Sequence, residues 1–119
     1  MAIATSSPRT SFNQKMLYHK EILSLMDAVV TGDEVKNGKP APDIFQEAAR
    51  RLGKNASKCV VFEDSPLGIR GAQAAGALTV ALPDPRFPEN ARKLAELSPT
   101  WLLKEGIGQF NHEELELED

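Results

Sequence analysis

The sequence predicts an α/β domain built on a parallel sheet covered by helices on both faces, a Rossmann-like arrangement. Three observations carry that expectation. Short apolar runs alternate with longer amphipathic segments along the chain. Two of the runs, Cys59-Val60-Val61-Phe62 and the stretch 78–82, are almost unbroken by polar residues. Strands buried on both faces lose polar alternation in this way. Finally, 119 residues with 41% hydrophobic and 26% charged side chains suit one globular domain.

The elements follow in order. Ala2-Ile3-Ala4 reads as a short strand entering the polar turn Thr5-Ser6-Ser7-Pro8. From 10 to 26, Phe12, Met16, Leu17, Ile22, Leu23, Leu25 and Met26 predict one helix with one buried face. Ala28-Val29-Val30-Thr31 is a strand stopped by Gly32, and the loop GDEVKNGKPAP comes next. Pro42 fits a first helical position, with Ile44, Phe45, Ala48, Ala49 and Leu52 at helical spacing up to Gly53. The strand 59–62 ends in Glu63-Asp64. Ser65 then suits an N-cap with Pro66 behind it, and that helix closes near Gly76. The strand 78–82 is ended by Pro83 and Pro85. A short helix at 89–95 and a last strand or apolar segment at 101–103 complete the pattern. No repeat or linker divides the chain.

Composition excludes several functions. No apolar run approaches the 18 residues that would suggest a membrane span. The first residues, MAIATSSPRTSF, lack the basic region and apolar core of a signal peptide, so a cytoplasmic location is expected. Cys59 is the sole cysteine, with no disulfide partner and no metal-ligand spacing; it reads as a core residue. The net charge of −3 belongs to the C-terminus, where Glu113, Glu114, Glu116, Glu118 and Asp119 form an acidic tail over 113–119. Without those five, twelve acids face fourteen bases. Nothing resembles the concentrated basic face of a nucleic-acid binder. His19 and His112 read as surface residues, and Trp101 and Phe110 as packing for the last segment.

In open parallel sheets, ligands bind beyond the carboxyl ends of the strands. Three polar groups fall there: the hydroxyls of Thr5, Ser6 and Ser7, the lysine of Gly38-Lys39-Pro40, and the pair Glu63-Asp64. Adjacent carboxylates at the end of a buried strand repel one another unless a cation sits between them. Mg²⁺ suits them, because it takes oxygen ligands and shares its shell with water and phosphate. The competing reading gives Asp64 or Ser65 to the cap of the next helix. Turn amides and hydroxyls at a helix start attract anions, although the same cluster also reads as an ordinary Ser/Thr turn. Lys39, on a loop restricted by prolines, is placed to neutralise phosphate or is a solvated surface lysine. Together the three supply what phosphoryl transfer needs, a metal, a cation and donors around one phosphate. They do not supply a nucleophile.

These residues resemble the haloacid dehalogenase-like hydrolase superfamily. ATSS is similar to its second motif, GKPAPDIF to its third and VVFEDSPLGI to its fourth, over about residues 2–83. Within it, the sequence resembles small-metabolite phosphatases of the pseudouridine-5′-phosphatase, glycerol-phosphatase and β-phosphoglucomutase type. The resemblance implies that Thr5 hydrogen-bonds the transferring phosphoryl group and that Lys39 holds its charge. Glu63 and Asp64 would anchor Mg²⁺, while Ser7 and Arg9 lie where relatives often touch substrate. In the family a D-x-D motif on a strand preceding the second motif supplies the aspartate nucleophile, and a cap domain follows it. Neither is found in these 119 residues. The expectation is therefore that residues 1–112 are the C-terminal portion of such a core domain. Its sheet would lack the central strand between the strands ending at Thr5 and Phe62. The full site would hydrolyse a small phosphorylated metabolite through an aspartyl-phosphate, and the chain by itself would be inactive. A second expectation is a truncated, non-catalytic form that binds or self-associates through the two unpaired strand edges.

Overall fold

The structure, a computed structural model, describes residues 1–105. The acidic tail, His112, Phe110 and the boundary at 112 lie outside the described residues. Five strands and five α-helices alternate: β1 Ala2–Ala4, α1 Arg9–Lys15, α2 Lys20–Ser24, β2 Ala28–Val30, α3 Asp43–Arg51, β3 Val60–Glu63, α4 Pro66–Ala74, β4 Leu78–Ala81, α5 Pro88–Glu96 and β5 Trp101–Leu102. All strand pairs are parallel. Among the described residues, none of the helices is long and apolar enough to cross a membrane.

The strands form two ladders, β1-β2 and β3-β4-β5, with no hydrogen-bonded pairing between β1 and β3. The sheet is thus divided at the position where the resemblance places a further strand. Backbone groups of successive residues point to alternate edges. Because the Thr5 N–H reaches the Val30 carbonyl, the carbonyls of Ala2 and Ala4 face away from β2. On β3, Cys59 and Glu63 accept from Leu78 and Leu82, so the backbone groups of Val60 and Phe62 face away from β4. Two near edges result, one on β1 and one on β3.

Helices α3 and α4 hold the ladders in one body. Val30 of β2 is buried with Ile44, Phe45 and Ala48 of α3 and Ala72 of α4, and both Ala4 and Val61 pack against this cluster. Ile69 of α4, Ala81 of β4 and Leu94 of α5 make a second cluster. On β4, Thr79, Val80 and Ala81 are consecutive and all buried, so this strand is covered on both faces, as its composition predicts. Gly53 and Gly76, with φ of 71° and 82°, follow α3 and α4 in the left-handed conformation that ends many helices.

The single helix expected over 10–26 is corrected. α1 stops at Lys15, a 3₁₀ turn covers Met16–Tyr18, and α2 is a separate short helix. Of the apolar residues that suggested one face, Phe12 alone is buried, while Leu17, Ile22 and Leu25 are more than half exposed. Helical stability in proteins comes mainly from packing an amphipathic face. With no continuous face buried, nothing holds one helical register across the segment. Cys59 is half-buried, with its thiol 3.5 Å from the Asn55 carbonyl.

The outer edge of β2 is blocked by charge. Its Val29 carbonyl accepts from Arg51 at 2.8 Å and from Arg9 at 3.2 Å, and both arginines pair with Glu34. Charged side chains on an edge strand discourage pairing with other chains. The Arg9 hydrogen bond, helped by Arg51, holds the Glu34 carboxyl at about 2, against 4.5 ordinarily. Arg50 does the same first for Glu47, also to about 2.

Two predictions follow from this packing. Ile44→Ala removes a fully buried side chain and should cost about 2–5 kcal/mol. Leu25→Ala, at an exposed position, should change stability by less than about 0.5 kcal/mol in the same urea titration. Equal losses would contradict the broken helix. Secondly, a depressed carboxyl stabilises the fold above its unfolded pKa and loses that effect as pH falls through its folded value. Stability should therefore drop from about pH 4.5 towards 2, and Glu34→Gln should flatten the drop measured by urea midpoints. An unchanged pH dependence in Glu34→Gln would count against the arginine clamp.

Candidate functional site

The carboxyl ends of β1 and β3 open into one cavity of about 540 Å³. Thr5 and Ser6 stand at the β1 end and Glu63 and Asp64 at the β3 end, with Lys39 between them. The Lys39 ammonium donates to the Ala4 carbonyl at 3.2 Å and pairs with Glu63 Oε1 at 2.5 Å. It thereby spans the divide between the ladders. Both side chains are about nine-tenths buried, at 10% and 11% exposure. The ammonium also lies 5.1 Å from the centre of the Phe45 ring, a favourable cation–π distance. Its loop turns at a cis Lys39–Pro40 peptide.

The hydroxyl turn is held by its backbone. The Thr5 hydroxyl oxygen accepts from the Ser7 N–H at 3.2 Å, which leaves the hydroxyl proton as a donor. The Ser7 carbonyl accepts from Gly32. A Cβ at Gly32 would lie 2.9 Å from the Ser6 carbonyl carbon and closer still to its oxygen, so only glycine lets this turn sit against the end of β2. The Ser7 hydroxyl oxygen accepts from the Lys15 ammonium at 3.0 Å. Arg9 is engaged with Glu34 and β2. The structure brings Thr5, Ser6, Lys39, Glu63 and Asp64 to one cavity, whereas Ser7 and Arg9 do not line it.

The competing readings of Ser65 and Lys39 are settled by contacts. Ser65 caps α4, its hydroxyl accepting from the Gly68 N–H at 3.0 Å. Neither carboxylate of the acidic pair has that task. Asp64 is exposed, and its backbone carbonyl accepts from the Asn90 side chain at 3.0 Å, which ties α5 to the rim. Lys39 is buried rather than solvated.

Sequence reasoning missed Asp84 and Phe62. Both line the cavity, Phe62 with 41% of its surface exposed. Asp84 follows the end of β4, so the rule that drew attention to the other strand ends applies equally to it. Arg86 grips its carboxylate through Nε at 3.0 Å and Nη2 at 2.7 Å. That contact holds the Asp84 carboxyl below the usual carboxylate range.

Among the described residues no group of three or more His, Cys, Asp or Glu side chains is gathered as a metal cage. Glu63 and Asp64 offer two carboxylates. This matches what Mg²⁺ usually takes from a protein, the rest of its shell being water and phosphate. The donor set fits that ion better than Zn²⁺, which seeks histidine or thiolate.

Comparison with known proteins agrees with this geometry. A family model described as haloacid dehalogenase-like hydrolase matches residues 1–76. A probable pseudouridine-5′-phosphatase of Drosophila melanogaster is 47% identical over 92 residues, covering 73% of this chain and 40% of its own length. (DL)-glycerol-3-phosphatase 2 of Arabidopsis thaliana is 43% identical over 108 residues, covering 87% and 45%. The crystal structure of a HAD family hydrolase from Deinococcus radiodurans, with bound phosphate and sodium, superposes with a TM-score of 0.76. It is 30% identical and covers 95% of this chain and 48% of its own. The chain thus spans less than half the length of each of these proteins. A match over more than half of its residues, together with the parallel fold and the strand-end cavity, shows that the chain belongs to the haloacid dehalogenase-like hydrolase family.

Proposed function

We propose that the cavity is the phosphoryl-binding half of a Mg²⁺-dependent phosphatase site for a small phosphorylated metabolite. In this reading the nucleophilic aspartate comes from polypeptide outside these 119 residues. The observation that carries it is the largely buried Lys39 ammonium held between the Ala4 carbonyl and Glu63, in a cavity that Thr5 and Asp64 also line. Two relatives bear the names of phosphatases acting on a nucleotide-like and a polyol phosphate, and a structural neighbour holds phosphate.

Each residue has a role in that chemistry. The Thr5 and Ser6 hydroxyls donate to oxygens of the bound phosphoryl group. Lys39 places its positive charge against the same oxygens, where a charge-assisted hydrogen bond is worth more than a neutral one. Glu63 keeps that ammonium in place. Glu63 and Asp64 are also the residues that would hold Mg²⁺, which when bound neutralises phosphate charge. The aspartate carboxylate attacks phosphorus, forming an O–P bond as the bond to the leaving alkoxide breaks, and water then cleaves the acyl-phosphate. Asp84 and Phe62 would face the substrate from the far wall.

The reading has a direct test. The 119-residue chain should show no turnover of p-nitrophenyl phosphate but should bind orthophosphate in the presence of Mg²⁺. In titration calorimetry, Lys39→Ala should weaken that binding by about 10- to 100-fold, the worth of a hydrogen bond to a charged group. Lys39→Met, which keeps the buried stem, should weaken it as much. Robust turnover abolished by either change would overturn the external nucleophile. Unchanged phosphate binding in both would overturn the site.

A further inference from the structure

We propose that Gly68 is a positioning residue, whose missing side chain lets the Glu63 carboxylate stand where it meets Lys39. The significance of this for catalysis rests on Glu63 belonging to the phosphoryl site; the contact itself does not. Gly68 is the third residue of α4 and is buried, with its N–H on the Ser65 cap. Local energetics argue against glycine there, because alanine is the best helix former and glycine among the poorest. The reason for glycine lies across the turn. A Cβ at Gly68 would lie 2.6 Å from Glu63 Oε1 and closer to Oε2 and Cδ. Oε1 is the atom that pairs with Lys39.

Any retreat of the carboxylate costs its contact with Lys39. The Glu63 backbone is fixed to β4 through Leu82 at 2.8 Å, and Lys39 is fixed by Ala4 and backed by Phe45. The wall behind Lys39 depends on α4 as well. One turn along the same helix face, a Cβ at Gly71 would lie 3.0 Å from the Ala41 carbonyl and 3.1 Å from the Phe45 ring. The smooth face of α4 thus brings the carboxylate and the platform of its cationic partner to one place. The obstacle at Gly68 is a side chain, unlike the backbone obstacle at Gly32. Gly68→Ala should therefore leave the fold intact and displace the carboxylate.

The test crosses Gly68→Ala with Glu63→Asp and Glu63→Ala in the same chain, reading thermal unfolding and Mg²⁺ affinity by calorimetry. With Glu63 present, Gly68→Ala should lower Tm and weaken Mg²⁺ binding on the order of tenfold or more, as disturbing the supports of a metal ligand does. With the shorter aspartate or alanine at 63, the same change should raise Tm, because only helix propensity remains. If Gly68→Ala alone fails to fold while the Glu63→Asp double variant folds, the coupling is again demonstrated. A Tm change of one sign in every background, or failure of both single and double variants to fold, would overturn the proposal. A chain that binds no Mg²⁺ yet shows the reversal of sign would sink the metal-binding reading and leave the positioning role standing.

Discussion

A lysine ammonium held between a backbone carbonyl of one ladder and a carboxylate of another is the contact on which this arrangement depends. Lys39 meets Ala4 at the end of β1 and Glu63 at the end of β3, where no strand pairing connects the two. Burying both charges is costly, and an ion pair of this kind is not in itself a gain in stability. Once buried, however, neither partner can be removed cheaply, since the other would be left unpaired in a poor solvent for charge. The pair therefore fixes geometry. It ties the two strand ends together and keeps a cation in the cavity that Thr5 lines.

The rest of the fold serves that alignment. α3 and α4 carry the shared core that joins the ladders, so the distance between β1 and β3 is set by helix packing in place of hydrogen bonds. Close packing is possible because α4 is small-faced towards both Glu63 and Phe45. The outer edge of β2 is closed by Arg9 and Arg51 on the Val29 carbonyl, and on the near edge of β1 the Ala4 carbonyl is taken by Lys39.

Much of this was legible in the sequence, for physical reasons that also explain the failures. Unbroken apolar runs mark strands, and a serine before proline marks a cap; β3, β4 and the Ser65 cap are legible from those signals. The burial on both faces expected of both runs holds for β4 and not for β3, whose Phe62 is exposed to the cavity. The strand-end rule located Thr5, Lys39, Glu63 and Asp64, because connectivity alone decides which loops share one end of a parallel sheet. What depends on tertiary competition was not legible. Nothing local shows that Leu17, Ile22 and Leu25 find no core, or that Arg9 turns to Glu34 instead of the cavity. Asp84 escaped notice because it stands alone among prolines and looks like a turn residue. The space around Gly68 is invisible until Glu63 is placed beside it.

The central claim is that Lys39 and its neighbours are half of a phosphoryl-transfer site completed by a strand at the divided edge. The most direct measurement supplies that strand. An N-terminal segment of a phosphatase relative, carrying the D-x-D strand and its cap, would be joined ahead of Met1 and hydrolysis of p-nitrophenyl phosphate followed with Mg²⁺ present. The account predicts turnover that appears only with the added segment and falls by about 10²–10³-fold in Lys39→Ala, the usual loss on removing one stabiliser of transition-state charge. A folded fusion with no turnover, or with turnover indifferent to Lys39, would contradict it.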